Sequence, residues 1–376
     1  MFGGLFLKEC KKILKSITYY IFLISLLYFY FNQVDEFQVP KPNQPYYGEK
    51  MESDSKTVIE KTIEILNREY KSNAYATYPI GILKKVTLNK SDQKRVDTIR
   101  KEISKLETTY DEFLVYMDEI DYLLGGNSNF SRKSLKNNAR VEKTYEDSVY
   151  EFNELVRNNQ LTAAYARVFC DYMGVLLGIM PVFIAVTLFL MDKNVQEVLY
   201  DRRVSSFKFI CCRYLALIVL EIIPVLILGM ITNIKILRYS IEANITIDNL
   251  AFIKYTFGWL LPTLLVSTAI GLLFTILTDT PIAIIVQAIW WFFDVSIIEK
   301  NIYGDYRGLI PRHNILGNND FFNAHFTDLL VNRLSYTILA FVLVILSIII
   351  LEYKRKGRLN FYGAIFKNLK SKLKIT

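Results

Sequence analysis

The sequence predicts an all-α integral membrane protein with six transmembrane helices, a helical extracytoplasmic domain and both termini in the cytoplasm. Of its 376 residues, 52% are apolar and 14% are aromatic, and the mean hydropathy is +0.22, which is high for a water-soluble protein. The apolar residues are gathered into long runs, whereas residues 34–167 form one polar region. Runs of this length are typical of bilayer-spanning helices.

The distribution of charge predicts the topology. The chain has a net charge of +8, and residues 1–16, 192–213 and 352–376 have net charges of +3, +2 and +7. Within the large polar region, residues 34–166 have a net charge of about −2. Lys and Arg mark loops that stay on the cytoplasmic face, so the three basic segments are predicted to lie inside. Because the polar region is not basic, we expect no nucleic-acid partner.

Residues 1–16 predict an amphipathic helix at the membrane surface, and residues 17–33 predict the first transmembrane helix. No cleavage site of small residues follows the apolar run Ile17–Phe31, so it is interpreted as an anchor and not as a signal peptide. A basic amphipathic helix favours an anionic lipid leaflet. The side chains predicted to contact that surface are Lys8, Lys11, Lys12 and Lys15.

Five further apolar runs within residues 168–352 predict the remaining helices. They are Asp171–Met191, Phe207–Ile231, Tyr255–Leu277, Pro281–Ile298 and Tyr336–Leu351. Roughly 20 residues cross the hydrocarbon core, so the short fifth run predicts a crossing that is incomplete or broken. From a cytoplasmic N terminus, six crossings place loop 192–207 and the basic tail 353–376 inside, and residues 34–167 and 299–333 outside.

The polar region contains three apolar stripes with helical spacing, at residues 59–70, 96–117 and 141–155. The second stripe predicts one long helix, capped by Ser91 or Asp92. The stripes either pack against one another or form a docking surface for a partner or substrate. No cysteine lies in this region, so helix packing and not disulfides must stabilise it.

The sequence contains no motif for catalysis or nucleotide hydrolysis. It lacks the GxxxxGK(S/T) phosphate loop, the HExxH zinc motif and the GxSxG nucleophile elbow. Any nucleotide-driven work therefore requires another polypeptide. His313 and His325 have no nearby cysteine and no histidine at helical spacing, so we expect no metal site.

Loop 192–207 (DKNVQEVLYDRRVSSF) holds a short helix-forming stretch, two arginines and two serines that can cap a new helix. On physical grounds alone it could equally be an ordinary basic cytoplasmic loop. It resembles the loop between the second and third spans of ABC-2 type transporter permeases, in which an acidic residue, a short apolar helix and an Arg-Pro/Val-Ile/Val-Ser turn precede the third helix. The matching residues are Glu197, Val198–Leu199 and Arg203–Val204–Ser205–Ser206, with valine where many relatives have proline.

The layout is also similar to that family: a basic amphipathic start, one span, a large insert and five further spans. The stretch AYARVFCDYMGVLLGIMPVF is similar to bacterial members with such an insert. The resemblance implies a permease subunit of an ATP-driven exporter in the bacterial cytoplasmic membrane, paired with a second permease chain, identical or different. It implies no cofactor on this chain, with ATP and Mg²⁺ held by a separate ATP-binding subunit. The implied contacts with that subunit are Glu197, Tyr200, Asp201, Arg202 and Arg203.

Two acidic residues, Glu221 and Asp294, lie within predicted spans. An ionised side chain at the centre of a span costs about 2.5–3.5 kcal/mol on insertion scales, so such residues face protein or water. They either line a translocation path or pair with a cation such as Arg213. A receptor whose external helical domain binds a ligand is the alternative function, and an enzyme that uses the two acids is another. The tail is short for a receptor's output domain, and no His, Cys or Ser cluster accompanies the two acids.

Overall fold

The computed structural model describes residues 2–33, 49–52, 54–79, 84–103, 109–158, 160–193, 204–298, 304–313, 316 and 319–357. The chain divides into two compact units. The first, which we call the bundle, contains Met1–Val39, Leu155–Asp294 and Asp305–Thr376. The second, which we call the polar unit, contains Pro40–Glu154 and Val295–Gly304.

Helices form most of the described chain. In the first half the elements are α1 (Phe2–Ile13), α2 (Ile17–Gln33), β1 (Glu49–Met51), α3 (Ser55–Ser72), β2 (Tyr75–Thr77), β3 (Lys84–Val86), α4 (Lys90–Ile103), α5 (Tyr110–Leu123), α6 (Arg132–Asn138), β4 (Arg140–Glu142) and α7 (Tyr145–Arg157). In the second half they are α8 (Leu161–Leu177), α9 (Met180–Lys193), α10 (Ser206–Glu242), α11 (Ala251–Tyr255), the π-helical segment Thr256–Leu260, α12 (Leu261–Thr278), α13 (Ile282–Ile298), α14 (Asn319–Ala324) and α15 (Phe326–Arg355).

Several helices are long and apolar enough to cross a membrane, as in a multi-pass membrane protein. Four qualify alone: Leu161–Asp192, Ser206–Glu242, Ala251–Thr278 and Phe326–Arg355. Helices α1 and α2 are bent by 69° and make a fifth candidate if the pair is one span. The fifth predicted run is a shorter apolar helix, Ile282–Val295. The described residues therefore support four or five spans, and the count of six stays a prediction.

Several helices extend beyond the apolar runs that predicted them. The second predicted span began at Asp171 and the last at Tyr336, but the helices begin at Leu161 and Phe326. The added turns carry Arg167 and Arg333, which a hydropathy pattern places outside a span. Both side chains are buried within the bundle. Their burial is tolerated because protein oxygen atoms replace water as hydrogen-bond acceptors for the guanidinium groups.

Helices α12 and α15 run side by side. Near one end, Arg333 donates to the Thr263 hydroxyl at 2.9 Å. Near the other end, Lys354 pairs with Asp279 at 2.6 Å. On another face of α12, Gly271 lies so close to α9 that an added β-carbon would be 2.8 Å from that of Ala185. A small residue at this position permits the close approach of the two helices.

The two ends of the bundle have different polar contacts. At one end, Lys12 pairs with Asp192, and the Ser206 hydroxyl donates to Glu352 at 2.6 Å. At the other end, Arg312 pairs with Asp171. Segments predicted to be cytoplasmic therefore meet at the first end, and at the second end Arg312 of the predicted loop 299–333 meets the start of the second predicted span.

The polar unit contains short strands that the sequence did not predict. Strand β1 pairs with β4 and β2 with β3, both antiparallel, and each strand has three residues. Such strands are too short to show a period of two. The first two predicted stripes share one core, whose fully buried members are Leu66, Tyr75, Val96, Ile99, Phe113, Met117, Ile120, Phe130 and Ala139. These stripes therefore pack against each other.

The prediction of one long helix over the second stripe was wrong. Thr109 is extended (φ −68°, ψ 157°) and starts a separate helix, α5. Its hydroxyl accepts from the backbone N–H of Glu112 at 3.4 Å, and the Glu112 carboxylate accepts from the Thr109 N–H at 3.0 Å, forming a capping box.

The predicted cap of α4 was also wrong. Asn89 caps that helix, because its side-chain oxygen accepts from the backbone N–H groups of Ser91 and Asp92, each at 2.9 Å.

Phe113→Ala is expected to lower the free energy of unfolding of the polar unit by about 3–5 kcal/mol, because the buried ring leaves a cavity. Hydrogen exchange of the α5 amides in the full chain measures the effect. Val115 lies on the same helix and is 62% exposed, so Val115→Ala is the matched control and should change stability by no more than about 0.5 kcal/mol. Equal protection in the two variants would contradict the assigned core.

Candidate functional site

The predicted coupling residues lie outside the described part of the chain: Glu197, Tyr200, Asp201, Arg202 and Arg203. The structure describes the helices on either side of them, α9 and α10. The Ser205 hydroxyl accepts from the Lys208 N–H at 3.3 Å and caps α10. This confirms the predicted helix start at the two serines.

A buried ion cluster lies beside the two ends of this loop. We call Glu9, Lys12, Asp192 and Arg213 the Arg213 cluster. Arg213 Nε donates to Glu9 at 2.7 Å, and a terminal nitrogen donates to Asp192 at 2.5 Å. Lys12 also pairs with Asp192. The cluster therefore joins α1, the end of α9 and the start of α10.

Aromatic rings remove the guanidinium of Arg213 from water. Its Cζ lies 4.5 Å from the ring centroids of both Phe189 and Phe209, and the residue is 1% exposed. Rings at this distance attract a cation. When one partner of such a buried pair is removed, the other charge is left without compensation, so the contact resists separation.

The four lysines in and directly after α1 divide into two groups. Lys8, Lys11 and Lys15 are exposed, whereas Lys12 is half-buried in the Arg213 cluster. The buried face of α1 carries Glu9 and Ile13. The exposed lysines are free to contact lipid headgroups, and that role stays a prediction for all four.

At the opposite end of the bundle a loop folds back between the helices. We call Asp305–His313 the returning loop. Its residues Leu309 and Ile310 are fully buried. A β-carbon added at Gly178 would lie 2.5 Å from a side-chain carbon of Ile310. Glycine at this position of the chain therefore makes room for the loop.

Asp294, one of the two predicted path residues, holds the returning loop. Its carboxylate accepts from the Ile310 N–H at 2.7 Å. An added β-carbon at Gly308 would lie 2.7 Å from the same carboxylate. From the α15 side, Arg333 donates to the carbonyls of Gly308 at 2.8 Å and Leu309 at 3.2 Å. The sequence placed Asp294 within a predicted span but did not indicate this bond.

Glu221, the other predicted path residue, is fully buried between α10 and α12. It accepts a hydrogen bond from the Thr268 hydroxyl at 3.2 Å, and its second oxygen has no partner among the described residues. Pairing with Arg213, one of the predicted alternatives, is not observed, because Arg213 pairs with Glu9 and Asp192. The two acids thus contact different elements.

A cavity of about 590 Å³ lies between α11, the π-helical segment and α15. This volume is within the range of roughly 300–1,000 Å³ that is usual for ligand sites. Short π-helical segments are often found at functional sites. Sequence reasoning missed this site. Its liners include Lys254, Phe257, Gly258, Trp259, Leu330 and Arg333.

His313, at the end of the returning loop, is buried among aromatic rings. Its Nδ1 lies 2.7 Å from the Tyr306 hydroxyl, and its Nε2 has no partner among the described residues. Burial, together with the charge of Arg167, lowers the pKa of His313 well below its usual 6.5. Within the described ranges, no group of three or more His, Cys, Asp or Glu side chains could hold a metal ion.

Arg213→Ala is expected to destabilise the bundle by about 3–5 kcal/mol, since it leaves two carboxylates without their buried partner. Thermal unfolding of the solubilised chain measures the loss. Lys208, exposed on the same helix, provides the control Lys208→Ala, which should unfold like the wild type. An unchanged melting temperature in Arg213→Ala would show that the cluster does not hold the helices together.

Acidification is expected to destabilise the bundle through His313. The folded pKa lies below the unfolded value near 6.5, so the contribution of this residue is complete above that pH and is lost as the pH falls towards the folded value. The melting temperature of the wild type should therefore fall more than that of His313→Gln between about pH 8 and about pH 5. Parallel curves for the two proteins would exclude this residue as the cause.

No protein family, curated protein or solved structure matches this chain.

Proposed function

We propose that the chain is the permease subunit of an ATP-driven exporter of the ABC-2 type, coupled to a separate ATP-binding subunit through the loop between α9 and α10. The observation that carries this proposal is the Arg213 cluster. It fixes α9, α10 and α1 to one another at the base of that loop. A force applied to the loop would move the three helices together.

The same end of the bundle connects α10 to α15. The Ser206 hydroxyl donates to Glu352 at 2.6 Å, and Arg355 donates to the Val204 carbonyl at 2.6 Å. Both contacts lie where loop 192–207 ends and α10 begins. Lys354 then joins α15 to the end of α12 through Asp279. These contacts support transmission of the force to four of the long helices.

The remaining parts of the proposal concern partners and cargo. ATP and Mg²⁺ would be held by the ATP-binding subunit, and a second permease chain would complete the translocation path in a bacterial cytoplasmic membrane. A role in that path is better supported for Glu221 than for Asp294, because one carboxylate oxygen of Glu221 has no partner among the described residues. The carboxylate of Asp294 is occupied by the returning loop.

A receptor is less well supported. That alternative needs a ligand-binding surface on the polar unit, and two of the three apolar stripes that could have formed one are buried in its core.

The direct test is purification of the chain from its own cells. A stoichiometric ATPase whose hydrolysis rate changes on association would support the proposal. Transport driven by nucleotide in the purified chain alone would refute it.

Glu197→Ala and Arg203→Ala are expected to separate ATP hydrolysis from transport, because both change the proposed contact with the ATPase and leave the Arg213 cluster in place. Hydrolysis and cargo export are measured on the same reconstituted complex. Lys8→Ala, an exposed change on α1, is the control for loss of a charge at the same end of the bundle. Unchanged transport in both loop variants would refute the coupling role.

A further inference from the structure

We propose that the cavity between the π-helical segment and α15 binds an anionic phospholipid, with its phosphate beside Lys254 and one acyl chain inside the cavity, and that Arg333 contributes positive charge from the cavity wall. The lipid site would be present whether or not the chain couples to an ATPase. The argument rests on the charges of the lining, on their depth along the helices and on the surface at which the cavity opens.

The lining carries an excess of positive charge. Its charged members are Asp248, Lys254 and Arg333. Lys254 pairs with Asp248 at 2.8 Å and is 62% exposed at its side chain. Arg333 is buried, and its donors go to carbonyl, hydroxyl and amide oxygens. Among the described residues its charge therefore has no directly bonded carboxylate, and an anion at the cavity would be attracted.

Asp294, the acid whose charge acts on Arg333, is not among the residues that line the cavity. Asp294 bonds to the Ile310 N–H of the returning loop, while Arg333 bonds to carbonyls of the same loop. Loop peptide groups therefore separate the two charges. Of these two residues, Arg333 lines the cavity and Asp294 does not.

Polar and apolar liners lie at different depths. Lys254 is in the first turn of the helix that begins at Ala251, and Arg333 lies about 10 Å along α15 from Phe326 at a rise of ~1.5 Å per residue. On the chain that begins at Ala251, the apolar liners Phe257, Trp259 and Pro262 follow Lys254 at greater depth. A cation near the helix start and apolar liners further in match the headgroup and chain of a lipid, and Arg333 lies at the depth of these apolar liners.

The cavity is bordered by apolar side chains on the outer surface of the bundle. Phe257, Phe326, Leu330 and Leu334 line it, and each is about half exposed. In a membrane-spanning helix, exposed apolar side chains face the acyl chains of the bilayer. A lipid can therefore enter sideways from the membrane. This border favours a phospholipid over a small anion from water.

The π-helical segment provides the space for the chain. A β-carbon added at Gly258 would meet no atom within 4 Å, so that position opens onto the cavity it lines. A large side chain there would occupy the space of the ligand without displacing the helix. Gly258→Phe is therefore a variant that closes the cavity and keeps the surrounding packing.

Trp259 makes the site measurable, because it lines the cavity and its indole is 1% exposed. In Trp290→Phe/Trp291→Phe, Trp259 is the sole tryptophan of the chain. The full chain is placed in phosphatidylcholine nanodiscs that contain phosphatidylglycerol as the minor lipid. Two preparations of identical headgroup composition carry bromine either on the phosphatidylglycerol chains or on the phosphatidylcholine chains. Bromine quenches tryptophan only at short range.

If the cavity binds an anionic phospholipid, brominated phosphatidylglycerol quenches Trp259 by roughly fivefold more than its share of the lipid predicts, as expected for one cation beside an acidic headgroup. The excess disappears in Gly258→Phe and falls by a similar factor in Lys254→Gln. Ile285→Phe, an enlarged side chain at an exposed apolar position of α13, leaves it unchanged. A melting temperature equal to that of the parent protein verifies that each variant is folded.

Three results would overturn the proposal. Quenching in proportion to lipid share in both preparations means that the cavity does not select the acidic headgroup. Selective quenching that persists in Gly258→Phe places the lipid outside the cavity. Loss of the selective quenching on addition of inorganic phosphate, at constant ionic strength, identifies the ligand as a water-soluble anion.

Discussion

A guanidinium that leaves water needs anionic or carbonyl oxygens around it, and the bundle satisfies this requirement for three arginines in three ways. Arg213 has two carboxylates and lies against two phenyl rings. Arg167 donates to the hydroxyl of Tyr255 at 3.3 Å and to the amide oxygen of Asn319 at 3.0 Å. Arg333 uses mainly backbone carbonyls. The first arrangement fixes helices rigidly, because separating the charges is costly. Arg167 and Arg333 instead hold uncharged groups. Among the described residues, no directly bonded carboxylate neutralises the positive charge of these two arginines.

The need of buried arginines for oxygen partners also determines which parts of the fold the sequence could predict. Apolar runs located the long helices, since burial or lipid contact of such runs is a local property of the sequence. Their ends could not be located in the same way. Arg167 and Arg333 interrupt the hydropathy pattern, yet both lie inside helices because distant residues supply their oxygen partners. Hydrophobic periodicity and the composition of a short stretch describe only neighbouring residues. They cannot indicate a partner more than 80 residues away in the sequence, as Tyr255 is from Arg167.

The site shows the same division. The cap at Ser205 was predictable because a serine before a helix acts on its own neighbours. The capping box of Thr109 and Glu112 was equally local and could have been found in the sequence. The cavity could not, because it depends on the approach of α15 to the π-helical segment, and the sequence around Gly258 has no signal for a π-helix. Asp294 was found by its position in an apolar run, but its partner, the Ile310 N–H, belongs to a loop whose return into the bundle no local pattern indicates.

In the proposed transporter, the pinned pair α12 and α15 connects the two ends of the bundle. Arg333 and Thr263 join the helices at one end, and Lys354 and Asp279 join them at the other, so the pair should move as one body. The first half of helix α10 contacts α12. Tyr214 donates to the Leu265 carbonyl at 2.9 Å, and Glu221 accepts from the Thr268 hydroxyl at 3.2 Å. Displacement of α10 by the coupling loop would therefore also displace α12. Because the α12–α15 pair resists bending, its far end would move against α8, which is where the cavity and the returning loop lie. The rigid cluster at one end and the lipid-facing cavity at the other would then be two parts of one mechanical path.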